Sequence, residues 1–169
     1  MRCSSLVSIL MVFLLGCGAT KPLELDLRYK NYSRSVNDGI GQCSEKFYFS
    51  DLRNNKTLGQ MSGQAVLADK QIFSWVQQAF KDEFGSQVNM QELPKETSID
   101  NGWVIELKKA YVMNQTTNMA ATSVFRLRKD SEAYKQTFRG NVTHSNWNSN
   151  HAETIKVLNS ALKDGLVKM

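Results

Sequence analysis

The two histidines, His144 and His151, are the natural starting points for metal or acid–base chemistry. Neither has a cysteine beside it, and no His-x-x-x-His pair exists, so zinc-ligand spacing is missing. No Gly-x-Ser-x-Gly elbow presents a serine nucleophile. Gly59 and Gly63 lack the Lys-Ser/Thr that completes a phosphate-binding loop. Carboxylates are scattered, and no acid–base pair can be named. The sequence therefore predicts no catalytic site, no metal site and no cofactor. What remains is one placed thiol, Cys17, and one set of cations, Arg126, Arg128, Lys135 and Arg139. Asp51 and Arg53 straddle Leu52 at a strand end, where they are expected to stabilise a turn by pairing or, alternatively, to bind a partner.

Cys17 closes a distinctive stretch. Arg2 precedes the apolar run Leu6 to Leu15, and Gly16-Cys17 follows. A positive start, a short apolar core and small residues at the end describe a secretory signal. The run is shorter than the roughly 20 apolar residues that span a bilayer. Leu14-Leu15-Gly16-Cys17 resembles a bacterial lipobox. That motif implies a diacylglycerol thioether on Cys17, cleavage after Gly16 and acylation of the new N-terminus. An ordinary signal peptide cut a few residues later would leave Cys17 incidental. The expected organisation is a signal peptide at 1–16, a lipidated tether at 17–22 and a single α+β domain at 23–169.

The anchor would be lipid alone, because no second apolar run is long enough to cross a membrane. Gly18 to Pro22 reaches roughly 18 Å at most, so the domain hangs close to its membrane. Of the three cysteines, Cys3 leaves with the signal and Cys17 is acylated. Cys43 then has no intrachain partner. The formal charge of +5 and a pI near 9.1 permit contact with anionic lipid heads or acidic partners. Asn-x-Ser/Thr triplets at Asn31, Asn55, Asn114 and Asn141 carry no glycosylation meaning in a bacterial protein.

The rest of the chain must position those cations. Leu23, Leu25, Leu27 and Tyr29 alternate with charged residues, the period of a half-buried strand. Residues 31–45 read as a loop. Phe47 to Ser50 resumes as a strand, Asp51 to Lys56 turns, and Thr57 to Gln60 returns briefly. Asp69 is placed to cap a helix over 70–84, with Ile72, Phe73, Val76, Ala79, Phe80 and Phe84 at helical spacing and Gly85 as the stop. A short strand is expected near Val88 to Met90. Three strands follow at 103–113, 119–128 and 133–143, the first with a phase slip at Lys108-Lys109-Ala110 that marks a β-bulge. Short links make these three an antiparallel meander. Asn150 with Glu153 opens a last helix over 151–166. The predicted fold is α+β, an antiparallel sheet with two helices packed on one face.

In that meander Phe125, Leu127, Phe138 and Val142 face the core. The alternation turns Arg126, Arg128, Lys135 and Arg139 outward. Four neighbouring outward cations suit lipid phosphates, lipopolysaccharide or an acidic partner. An exposed sheet face guarded by Lys and Arg against aggregation is the plainer reading of the same pattern. Aromatics for base stacking fall on the inner face, which argues against nucleic acid.

The lipobox, Ser50-Asp51-Leu52-Arg53, the helix Ile72 to Phe84, Tyr134-Lys135-Gln136-Thr137-Phe138-Arg139-Gly140 and the final helix with Asn159 to Leu166 together resemble the YajG family of small bacterial lipoproteins. The likeness covers nearly the whole mature chain. The loop 31–45 with Cys43 departs from the family pattern. The resemblance implies an outer-membrane lipoprotein facing the periplasm, with no catalytic residues. Element order and anchor are also similar to auxiliary envelope lipoproteins of the LptE and PqiC types. The functional expectation is a non-enzymatic envelope lipoprotein that binds a protein partner or supports envelope integrity. The alternative is an auxiliary subunit of lipid or lipopolysaccharide transport.

Overall fold

The computed structural model describes residues 21–32, 46–61, 63–86, 88–93, 99, 102–129, 134–145 and 150–169. The expected signal peptide, Cys17, Cys43 and most of the expected loop 31–45 lie outside the described residues. Among those described, the strands are β1 (Leu23–Glu24), β2 (Phe47–Asp51), β3 (Thr57–Met61), β4 (Gln64–Leu67), β5 (Met90–Glu92), β6 (Trp103–Asn114), β7 (Asn118–Lys129) and β8 (Lys135–Ser145). The helices are α1 (Ile72–Phe84) and α2 (His151–Val167). The fold is α+β.

The sheet is mixed, which corrects the expected antiparallel arrangement. β6, β7 and β8 do form an antiparallel meander, and β3 and β4 form a hairpin. β2 and β3, however, both run parallel to β6, as β5 does to β2 and β1 to β4. Parallel neighbours need a crossover between them, and α1 lies in the chain between β4 and β6. The order of elements in the sequence is silent on direction.

β6 is the spine. One edge carries β7 along its length. The other is shared, β2 pairing with Trp103 to Leu107 and β3 with Val112 and Met113. The register with β7 slips between Leu107 and Lys109, the bulge that the sequence phase predicts. Gly59 lets β3 reach β6. Its φ is +116°, and a Cβ there would stand 1.9 Å from the Val112 carbonyl oxygen.

The core joins Phe49, Leu58, Ile105, Leu107 and Phe125 of the sheet to Trp75, Val76, Leu158, Leu162 and Leu166 of the helices, all buried. α1 touches β2 through Phe80 on Phe47, ring centroids 5.2 Å apart, and Phe73 on Phe49 at 5.8 Å. α2 comes nearer to its strands. A Cβ on Gly140 would lie 1.9 Å from the Ala161 carbonyl oxygen and 2.5 Å from the Gly165 nitrogen. Ser123 Oγ donates to that same Ala161 carbonyl at 2.7 Å. Asn150 caps α2 as expected, its Oδ1 accepting from the Glu153 N–H at 2.8 Å.

Two local expectations need correction. α1 begins at Ile72 behind a 3-10 turn, Asp69–Gln71, with no side-chain cap. The alternating segment at 23–30 pairs as a strand only at Leu23 and Glu24. Leu25, Leu27 and Tyr29 are nonetheless buried. Beyond β1 the Leu25 N–H still donates to the Leu67 carbonyl at 2.9 Å, and side chains of the 3-10 turn and of α2 then take over. Gln71 Oε1 accepts from the Leu27 N–H, and Asn159 Nδ2 donates to the Arg28 carbonyl at 3.0 Å.

Candidate functional site

The bulge and the register decide which side chains share the sheet face away from the core. Arg128 stands between Val104 and Lys135, Arg126 between Glu106 and Thr137, and Val124 between Lys109 and Arg139. Directly paired residues of antiparallel strands point to the same face. Arg126, Arg128, Lys135 and Arg139 are therefore gathered on one face, joined by Lys109.

Glu106 sits at the centre of this face, and sequence reasoning missed its role. It is 4% exposed. Arg126 donates to its Oε2, Arg128 Nε to Oε1 at 2.9 Å, and Lys108 Nζ lies 3.4 Å away. Burial alone would raise the carboxyl pKa. The hydrogen bonds from Arg126 and Arg128, with the charges of Lys108 and Arg126, outweigh it and lower the pKa. Glu106 stays ionised and orients the two arginines. The phase of β6 placed it outward, opposite Ile105 and Leu107. Its meeting with Arg126 depends on a register that spacing does not supply.

Among the described residues this cluster is positive overall. One carboxylate faces three cations, and Lys109, Lys135 and Arg139 are exposed around it. The arginine forks are partly covered, at 29% and 21% side-chain exposure, and already bound. Lys109, Lys135 and Arg139 are the more solvent-exposed cations of this face.

Asp51 and Arg53 form a separate, structural pair. Arg53 Nε and Nη2 reach the two Asp51 oxygens at 2.8 and 2.9 Å, and Lys56 Nζ adds a contact at 2.7 Å. The Arg53 side chain is 1% exposed. Burial raises the Asp51 pKa, but the bonds from Arg53 and Lys56 dominate and bring it down to about 2. The pair closes the turn from β2 to β3.

His144 and His151 lie on different elements, β8 and the start of α2. Among the described residues no group of three or more His, Cys, Asp and Glu side chains could hold a metal. No described helix is long and apolar enough to cross a membrane. An apolar pocket of about 200 Å³ opens between Phe80 and Phe84 of α1 and Trp103 and Leu127 of the sheet.

No protein-family model matches the chain, and no curated protein matches it significantly. Solved structures do share its shape. One, the crystal structure of an uncharacterized protein, superposes with a TM-score of 0.50 at 8% identity, over 88% of this chain and 96% of its own. That likeness concerns the fold alone.

Proposed function

We propose that the chain is a non-enzymatic envelope lipoprotein, held on the periplasmic side of the outer membrane by acyl chains on Cys17. In this role it is an accessory factor that meets an acidic protein partner or anionic lipid heads through the open face of its sheet. The observation that carries this reading is the positive surplus around Glu106. Both helices packing on the other face would leave this one free. The short tether keeps it near the bilayer, where each Lys or Arg gains roughly 1 kcal/mol from anionic heads. The YajG-like pattern supports the same reading. Gly18 follows Cys17, where Asp is the usual inner-membrane retention signal. Labelling with palmitate and density-gradient fractionation test the anchor. Cys17→Ala should leave an unlabelled precursor, and the acylated protein should sediment with outer-membrane vesicles. Recovery with inner-membrane vesicles would count against the destination.

Direct handling of lipid or lipopolysaccharide during transport is a second reading, favoured by the apolar pocket. Lys129 Nζ lies 5.3 Å from the ring centroid of Trp103 on its rim. A cation beside an apolar hole suits an acyl chain with an anionic head. Mass spectrometry of the purified protein separates the two. Stoichiometric lipid favours transport, and a lipid-free protein that captures an acidic partner favours the accessory role.

A further inference from the structure

A second polar site lies away from the basic sheet face. A pocket of about 470 Å³ opens between residues 29–32, α2 and His144. That volume falls within the range of roughly 300–1,000 Å³ typical of small-ligand sites. Its surroundings are fixed by buried polar bonds. Glu83, with its side chain fully buried, accepts from the Tyr29 hydroxyl at 2.8 Å and from Asn31 Nδ2 at 3.0 Å. Asn159 accepts from Trp75 Nε1 at 2.6 Å and donates to the Arg28 and Lys30 carbonyls. Residues 28–31 are thereby tied to both helices, and the pocket is built before any ligand arrives.

Tyr32 stands in this pocket, 48% exposed. The ammonium groups of Lys30 and Lys156 lie 5.9 and 5.8 Å from its ring centroid. Two like charges drawn to one ring repel each other, and an anion bound between them removes that repulsion. The other lining charges are already engaged. Lys163 donates to Asn31 Oδ1 at 2.9 Å and lies 3.6 Å from Glu83. Asp164 is held by Lys168 at 2.6 Å. The charge left for a ligand is that of Lys30 and Lys156, beside the half-exposed Tyr32 ring.

We propose that this pocket binds a phosphorylated sugar, with the phosphate between Lys30 and Lys156 and the apolar face of the sugar ring against Tyr32. The site is independent of the membrane reading. The same chemistry occurs in a soluble sugar phosphate and in the phosphorylated saccharide head of a glycolipid. Amide shifts of the full chain in polyoxyethylene micelles test it, with glucose 1-phosphate as the probe. Shifts at residues 30–32, 156 and 160 are expected, saturating with a Kd of about 1 mM or tighter. Glucose and inorganic phosphate should each bind at least about tenfold more weakly, the equivalent of about 1.4 kcal/mol. Lys30→Gln with Lys156→Gln should lower affinity about tenfold or more, as should Tyr32→Ala. Lys156→Arg should retain binding, and Arg139→Gln should leave it unchanged. Thermal melts of each variant separate lost binding from lost fold. A phosphorylated disaccharide glycolipid that shifts the same amides identifies the head group as a source, while glucose 1-phosphate acting alone identifies a soluble one. Inorganic phosphate binding as tightly as glucose 1-phosphate, undiminished binding in the double lysine variant, or no shift at all would overturn the proposal.

Discussion

Glu106 shows how one residue sets the character of a surface. A carboxylate that is 4% exposed stays ionised because its arginine and lysine neighbours surround it. Glu106→Gln keeps the shape but removes the charge, leaving Arg126, Arg128 and Lys108 to repel one another. A stability loss of about 1–3 kcal/mol is expected, read by urea unfolding; an unchanged midpoint would mean that the cluster is energetically idle. Two ion-paired carboxylates, half-buried Asp51 and buried Glu106, also shape the acid response. Both have pKa values lowered by folding. Such groups contribute stability that is full above the unfolded pKa and is lost as pH falls through the folded one. For Asp51 the window runs from its ordinary value of 3.8 down to about 2, and the contribution is about 2 kcal/mol. Asp51→Asn should therefore flatten the fall in melting temperature between these pH values and lower stability near neutrality. A variant that keeps the wild-type acid profile would contradict the assignment.

At the scale of elements, α1 offers the cleanest test of packing. Phe80 is 3% exposed and touches Phe47 and Phe84, their ring centroids 5.2 and 4.4 Å away. Phe80→Ala should cost about 3–5 kcal/mol and lower the melting temperature by roughly 10 °C, while exposed Gln78→Ala should barely change it. Equal effects would mean that the helical face is misassigned. The close contact of α2 with β8 makes a second test. Gly140→Ala places a methyl where the Ala161 carbonyl stands, so a melting temperature within a degree or so of wild type would refute that approach. α2 also guards the free edge of β8. Asp164 Oδ2 accepts from the Asn141 N–H at 3.0 Å, and Lys168 Nζ donates to the Arg139 carbonyl at 3.2 Å, occupying groups that would otherwise template another strand. The helical faces, the bulge at Lys108 and the outward phase of the four cations are legible in the sequence, because each is a local periodicity. β4 was not foreseen, and the direction of β2 against β6 could not be, because pairing is a long-range choice. The same holds for the 23–30 segment. Its alternation records burial accurately, yet Gln71 and Asn159, distant in sequence, supply the partners that a neighbouring strand would have offered.

At the scale of the whole molecule, the mixed sheet sets the basic ring of Lys109, Lys135 and Arg139 around the Glu106 cluster. This arrangement refines where charge can be altered safely. Reversing Arg126 would set a second carboxylate against Glu106 and harm the fold, so it cannot report on binding alone. Lys135 and Arg139 are exposed and can be reversed with less disturbance. The most direct measurement is flotation of the chain beginning at Gly18, which lacks the proposed signal peptide and acylation site, with anionic and with neutral vesicles. The proposed role predicts that it floats with anionic vesicles only and is released as salt shortens the screening length to below about 8–10 Å. Lys135→Glu with Arg139→Glu should abolish flotation while leaving the melting temperature nearly unchanged. Flotation that survives the reversal, or that ignores salt, would contradict the claim that this face meets an anionic surface.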